Sequence, residues 1–283
     1  MQTWIIYVIL YGLFKGLREP IKKKTLEKCH MMSCLFMYTF VGFLMTIPLT
    51  TGSIWLTPKM FLWVAFKSFI IFMAWILAFI SVKKLPVSLY GVIDLSRVLF
   101  STLFGVMFLH ESLTGKGIIS LLLVIFGLYL ANRTSSPEEE HYDRKYIFAT
   151  LLCCALNAVS AILDKYLMST GEITTSQLQF WFMLIMSIYY FCYIKIKGDK
   201  VDFKGCIKRP GIYILSFLLV LGDKLLFAAN ADPNSMVTIM TLIKQSAVIV
   251  TIAAGRMVYK EKNIIYKLFS AAIIILGICI SVI

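Results

Sequence analysis

The sequence predicts an all-α membrane protein of ten transmembrane helices arranged as two inverted five-helix repeats, and three observations predict it. The first is composition: 59% of the 283 residues are hydrophobic and 15% are charged, with a mean hydropathy of +0.83, more apolar surface than a water-soluble core can hide. The second is a series of apolar runs of membrane-spanning length. The third is an internal repeat. The stretch that begins PVSLYGVIDLSRVLF at Pro86 returns as PNSMVTIMTLIKQSA at Pro233. Each proline is followed two residues later by serine (Ser88, Ser235) and eleven residues later by a cation (Arg97, Lys244). After a three-residue offset the copies also share Gly105/Gly255, Met107/Met257, Glu111/Glu261 and Gly127/Gly277.

A spanning helix needs about 20 apolar residues, fewer where the membrane thins locally. Taken in order, the runs 3–17, 30–48, 60–81, 87–109, 117–131, 146–168, 175–194, 211–228, 234–258 and 264–282 meet that need. The first is short, but it has neither a basic segment ahead of it nor a small-residue cleavage site behind it, so it reads as helix one rather than a signal peptide. The polar connections of any length are 18–29, 132–145 and 195–210, none of them long enough to fold as a catalytic domain. The division is therefore 1–131 for the first repeat, 132–145 for a polar connecting loop with three consecutive glutamates, and 146–283 for the second repeat. Five helices per copy is an odd number. The second copy must then enter the membrane from the opposite side, and inverted repeats of this kind build secondary transporters with the substrate near the midplane.

The net charge of +13 would suggest nucleic acid in a soluble domain, but these cations lie mostly in short loops, where they set orientation. Arg18, Lys22, Lys23, Lys24 and Lys28 follow helix one, Lys83 and Lys84 follow helix three, and further lysines and arginines follow helices five, seven and nine. The opposite loops hold little beyond Lys59 and Lys116. The positive-inside rule then places both termini outside the cytoplasm. Cys29, Cys34, Cys153, Cys154, Cys192, Cys206 and Cys279 form no CxxC and pair with no histidine, so they read as small apolar residues within helices. His30, His110 and His141 have no metal-ligand spacing. Neither a metal nor a cofactor is expected, and there is no GxxxxGK[ST] to bind ATP.

Charges inside the spans carry the chemistry, because each costs about 2.5–3.5 kcal/mol at the bilayer centre and so normally faces a cavity or a partner. Arg97 and Lys244 lie near the middle of helices four and nine, Lys67 nearer one end of helix three, and Asp94 one helical turn from Arg97. That spacing allows local neutralisation of Asp94 and Arg97. Lys15, Lys165 and Lys224, in the last turns of helices one, six and eight, can snorkel to an interface. Lys244 has no acid within one turn and is the residue least easily explained as structure. Cations (Lys15, Lys67, Arg97, Lys165, Lys224, Lys244) outnumber acids (Asp94, Asp164, Asp223) in this group, so the expected cavity attracts anions. Tyr90, Asn157, Trp181 and Gln245 are the polar and aromatic candidates for its wall. Gly12 with Gly16, and Ala74 with Ala78, have the spacing of close helix packing.

The repeated Pro…cation…Gly…Glu pattern resembles the EamA-type transporters of the drug/metabolite transporter superfamily, whose members carry two five-helix repeats with a Gly…Glu corner in each. The second copy departs from the pattern where Lys262 and Asn263 stand in place of the Ser-Leu-Thr after Glu111. The resemblance implies a transporter rather than an enzyme. In wider relatives, basic residues on helices four and nine meet a substrate phosphate, which carries over to Arg97 and Lys244. The expected function is movement of a small anionic or zwitterionic metabolite across a membrane, taken as the bacterial inner membrane, by a monomer or homodimer with proton or counter-substrate coupling. The alternatives are a membrane enzyme or lipid-headgroup-handling protein, and an exporter of amino acids or organic cations that uses the intramembrane acids.

Overall fold

The chain builds only helices among the described residues of a computed structural model, which cover 3–109, 115–133, 143–198, 202–233, 235, 240, 243–244, 247–260 and 264–282. They are α1 (Thr3–Leu26), α2 (Met31–Thr46), α3 (Pro58–Lys84), α4 (Val87–Asp94), α5 (Arg97–Leu109), α6 (Gly115–Arg133), α7 (Arg144–Ser169), α8 (Thr175–Lys197), α9 (Phe203–Ile207), α10 (Pro210–Ala231), α11 (Ala247–Tyr259) and α12 (Ile264–Val282). Met240, Ile243 and Lys244 are also helical.

Six stretches are long and apolar enough to cross a membrane: Met31–Leu49, Pro58–Lys84, Val87–Phe104, Arg144–Ser169, Thr175–Lys197 and Pro210–Ala231. Ala247–Tyr259 and Ile265–Gly277 are shorter apolar helices. Leu62, Leu122, Phe148 and Phe269 stand exposed on their outer faces, a surface that only hydrocarbon can cover favourably. This is a multi-pass integral membrane protein. Of the ten expected spans, these six meet the length and hydropathy criterion among the described residues.

Local chemistry sets the ends. Thr57 caps α3 by accepting from the Met60 N–H, with Pro58 in the first turn. Thr174 and Gln177 form a reciprocal capping box at α8, which ends on left-handed Gly198. Two expectations need correction here. The first helix does not stop at residue 17 but runs to Leu26. Lys15, Arg18, Glu19 and Lys22 recur at helical spacing along one buried face, and Lys22 Nζ binds both Glu19 oxygens at 2.9 and 2.8 Å, so charge inside the bundle holds the helix together. The run 87–109 is not one continuous helix either. It breaks between Asp94 and Arg97, where Ser96 N bonds Ile93 O (2.9 Å) and Val98 N bonds Leu95 O (3.1 Å) in tight i to i−3 steps.

Contacts between elements come in matched pairs. Exchanging α1 with α7, α2 with α8, α3 with α10, α4 and α5 with α11, and α6 with α12 turns the α1–α10 contact into α7–α3, α2–α10 into α8–α3, and α1–α11 into α7–α5. The contacts α2–α8, α4–α11 and α6–α12 map onto themselves. Paired contacts of this kind are the pattern expected of an inverted-repeat arrangement. Two glycines, Gly16 of the close-packing pair and Gly127 of the repeat, explain how closely these helices meet. A Cβ on Gly16 would lie 2.9 Å from Ala247 O on α11, below any normal contact, and one on Gly127 would collide with Ile274 Cγ1 of α12 and lie 3.0 Å from Ser270 O, so both positions favour glycine. The corner residues Glu111 and Glu261, most of the loop 132–145, and Gln245 lie outside the described residues.

The two ends of the bundle differ in charge. At one end Lys23 donates to Leu85 O (2.8 Å), Tyr259 Oη to Pro20 O (2.9 Å) and Ser81 Oγ to Tyr146 O (3.2 Å), which gathers the basic termini of α1, α3, α7 and α11. At the other, Trp181 Nε1 donates to Ile54 O (2.6 Å), Gln177 to Trp55 O (2.9 Å) and Lys224 to Leu49 O (2.9 Å), beside the exposed pair Lys59–Glu172.

Candidate functional site: a charged cavity between the halves

Between the two ends lies a cavity of about 120 Å³ whose wall draws on α1, α2, α3, α4, α5, α7, α8, α10 and Lys244. Helical periodicity explains how each element contributes. Lys15, Arg18, Glu19 and Lys22 supply one face of α1; Asn157, Ser160 and Asp164 supply one face of α7; Asp223 and Asn230 supply one face of α10. Six cations line the cavity (Lys15, Arg18, Lys22, Lys67, Arg97, Lys244) against three acids (Glu19, Asp164, Asp223), with Asp94 immediately behind Lys15 and Arg97. Even with Asp94 counted, the surplus is positive.

Most of these charges are already committed. Asp94 is held from two sides, by Lys15 Nζ at 2.5 Å on Oδ2 and by Arg97 at 2.6 Å on Oδ1. This ties α1 to the helix break, and the Arg97 Nε is buried with no hydrogen-bond partner among the described residues. Lys67, 2% exposed, pairs with Asp164 at 2.8 Å. Its ammonium also lies 3.9 Å from the ring centroid of Phe182 and 4.9 Å from that of Phe227, an aromatic clamp that further offsets the desolvation of the charge. Arg18 reaches the Tyr38 hydroxyl at 3.4 Å and lies over the Tyr11 ring at 5.7 Å. Lys244 and Asp223 both line the cavity, and neither has a hydrogen bond or an ion pair among the described residues.

Of the sequence-predicted site residues, Arg97, Lys244, Lys67, Tyr90 and Asn157 meet in this cavity, and Asp94 backs it. Asn157 turns its amide to Cys153 O at 2.8 Å. Trp181 is not there. Its ring packs edge-on against Phe61 and Phe180 while Nε1 holds the Ile54 carbonyl, so it anchors the 50–57 connection instead. Gln245 lies outside the described residues. Lys165 and Lys224 leave the group of free intramembrane cations: Lys165 donates to Asn230 O (3.1 Å), Ser235 O (3.2 Å) and Ser235 Oγ (2.8 Å), and Lys224 to Leu49 O. Backbone carbonyls at helix ends satisfy both ammoniums.

Arg18, Glu19, Lys22 and Asp223 are also cavity residues; the sequence reading counted Asp223 among the intramembrane acids and placed the other three in the connection after helix one. A signal for three of them existed. From Lys15 the charges fall at the third, fourth and seventh following positions, which is a helix face and not a loop. No group of three or more His, Cys, Asp or Glu is placed to hold a metal ion among the described residues.

No curated protein matches the chain. Among solved structures, one crystal structure 12% identical in sequence superposes with a TM-score of 0.68, covering 96% of this chain and 95% of its own; at that identity the likeness is one of fold. Residues 2–133, α1 through α6, match the EamA-like transporter family, a family of transporters rather than enzymes.

Proposed function

We propose that the protein is a secondary transporter that moves a small anionic or zwitterionic metabolite by alternating access, with ten spans in two inverted five-helix repeats. The observation that carries this reading is the buried cavity between the halves, with a cation from each: Arg97 at the break of the fourth expected span and Lys244 in its repeat counterpart. Discontinuous helices with polar groups at their inner ends are how transporters present a site at membrane depth without exposing bare backbone to lipid. The paired contacts between elements support the two-fold arrangement, and the odd helix count per repeat supplies the inversion. The basic end, with Lys23, Lys83, Lys84, Lys145 and Lys197, is the cytoplasmic one, which leaves both termini outside. The membrane is the bacterial inner membrane. The working unit is a monomer or homodimer, and transport is coupled to a proton or a counter-substrate.

Organic-cation export, built on the intramembrane acids, rests on Asp223 alone, because Asp94 and Asp164 each already hold a cation. Headgroup enzymology would need a general acid or base beside a leaflet-facing opening. Three of the carboxylates at the cavity are instead spent on neighbouring lysines and arginine, and the fourth, Asp223, lies inside the bundle in the middle of α10.

Lys244 is the test. Lys244→Gln in the purified protein should weaken binding of small carboxylates, sulfonates or phosphates roughly 10- to 150-fold, the loss of about 1.5–3 kcal/mol that goes with a hydrogen bond to a charged group. Lys244→Arg should keep part of the affinity, since charge persists although geometry changes. Unchanged anion binding in Lys244→Gln, with the protein still folded, would sink the reading.

A further inference from the structure

The cavity holds four carboxylates in or directly behind its wall, and three are satisfied by lysine or arginine. Glu19 takes Lys22 at 2.8 Å, Asp94 takes Lys15 at 2.5 Å and Arg97 at 2.6 Å, and Asp164 takes Lys67 at 2.8 Å. The fourth, Asp223 in the middle of α10, is 8% exposed and lines the cavity. It accepts no hydrogen bond and has no cation within ion-pair distance among the described residues. Arg18, Lys67 and Asp164 are the charged cavity residues that act on it electrostatically. Arg18 is turned to Tyr38 and Tyr11, and Lys67 to Asp164 and its two aromatic rings. On the cationic side Lys244 is the counterpart, lining the same space with no hydrogen bond or ion pair among the described residues.

A buried carboxylate without donors is costly, and a cavity that leaves one acid and one base unpaired is complementary to a ligand with both signs. A simple anion that settles on Lys244 leaves Asp223 without a donor and adds a like charge in the same small volume. An ammonium on the same ligand removes both penalties. Resting on the transporter reading above, we infer that Asp223 is a specificity-determining residue that receives the cationic end of the substrate, and that the substrate class is small zwitterions: an ammonium with a carboxylate, sulfonate or phosphate a few bonds away.

The test uses the purified full chain and matched probes that differ in the amino group: β-alanine against propionate, taurine against ethanesulfonate, phosphoethanolamine against ethyl phosphate. Calorimetric titration should show at least one amino member binding tenfold or more tighter than its partner, and Asp223→Asn, which keeps the shape of the side chain, should bring that ratio close to one while leaving the plain anion's affinity equal or improved. Asp223→Glu should retain the preference, which separates charge from folding. Equal affinity within every pair in the wild type, or a ratio that survives Asp223→Asn, overturns the inference and leaves the anion-transport reading standing. If neither member of any pair binds, both fall together.

Discussion

Removing the Lys67 ammonium tests how far the cavity is held together by its own charges. In Lys67→Met the side chain keeps nearly its length and its contact with Phe182 and Phe227, but Asp164 loses the cation 2.8 Å away in a site where Lys67 is 2% and Asp164 7% exposed. An orphaned charge of this kind costs about 3–5 kcal/mol, because the carboxylate has lost its partner without regaining water. The reverse single change, Asp164→Leu, should cost a similar amount less whatever the two rings return, roughly 2 kcal/mol for a desolvated cation–π contact. The double variant Lys67→Met/Asp164→Leu replaces the pair by apolar groups of comparable volume and should lie within about 1 kcal/mol of the wild type, since well-packed hydrophobic substitutes for buried pairs are often neutral or stabilising. Equilibrium unfolding of the purified protein in mixed detergent–SDS micelles gives the three differences, and the cycle gives their coupling. If Lys67→Met changes stability by less than about 1 kcal/mol, or if the double variant is less stable than either single one, the pair is not the structural element described above.

Two further outcomes follow from the way the halves meet. Lys165→Met removes the ammonium that gathers the carbonyls of Asn230 and Ser235 with the Ser235 hydroxyl; cysteine labelling near residue 235 should speed up several-fold in this variant, whereas an unchanged rate would show the contact to be idle. Gly16→Leu drives a branched side chain into a space where even a Cβ would meet Ala247 O at 2.9 Å and Val250 Cβ at 2.7 Å, so stability should drop by about 1–3 kcal/mol or more from overpacking; a neutral result would place α1 and α11 further apart than described.

How much of this was legible in the sequence depended on which residues carried a periodic signal. The helical class and the Pro86/Pro233 repeat could be read directly, because hydropathy and spacing are properties of the chain itself. The length of α1 could not be read from hydropathy, since Arg18, Glu19, Lys22 and Lys23 lower it below any membrane threshold. Their spacing on one face held the information, and a reading that treats charges as loop markers discards it. The break between Asp94 and Arg97 has no glycine or proline to announce it; it coincides with the contact from Lys15 of α1, and a contact across 79 residues leaves no local mark. Trp181 lies away from the cavity for the opposite reason. Its depth in α8 resembled that of a pocket residue, but the Ile54 carbonyl, an acceptor supplied by a distant connection, decided where its N–H would point.

The repeat also shows in what the first helix of each half does. Lys23, near the end of α1, donates to the carbonyl of Leu85, the residue before Pro86. Lys165, near the end of α7, lies 3.4 Å from the carbonyl of Asp232, the residue before Pro233. Under the exchange that pairs the helices, these are the same contact at opposite ends of the bundle. A residue preceding proline is kept out of the helical region, so its carbonyl does not continue the helix that follows and is open to a lysine from the neighbouring helix. The repeated proline thus fixes where the fourth expected span of each half begins, and the lysine ties that start to the first. On the transporter proposal above, these two ties, one per end, are the contacts that would part as each end opens in turn. Each lysine donates to neutral groups, Lys23 with the Tyr259 ring 5.1 Å away and Lys165 with the Ser235 hydroxyl beside the carbonyls; a hydrogen bond from a charged donor contributes about 1.5–3 kcal/mol, less than the cost of about 3–5 kcal/mol for breaking a buried pair such as Lys67–Asp164.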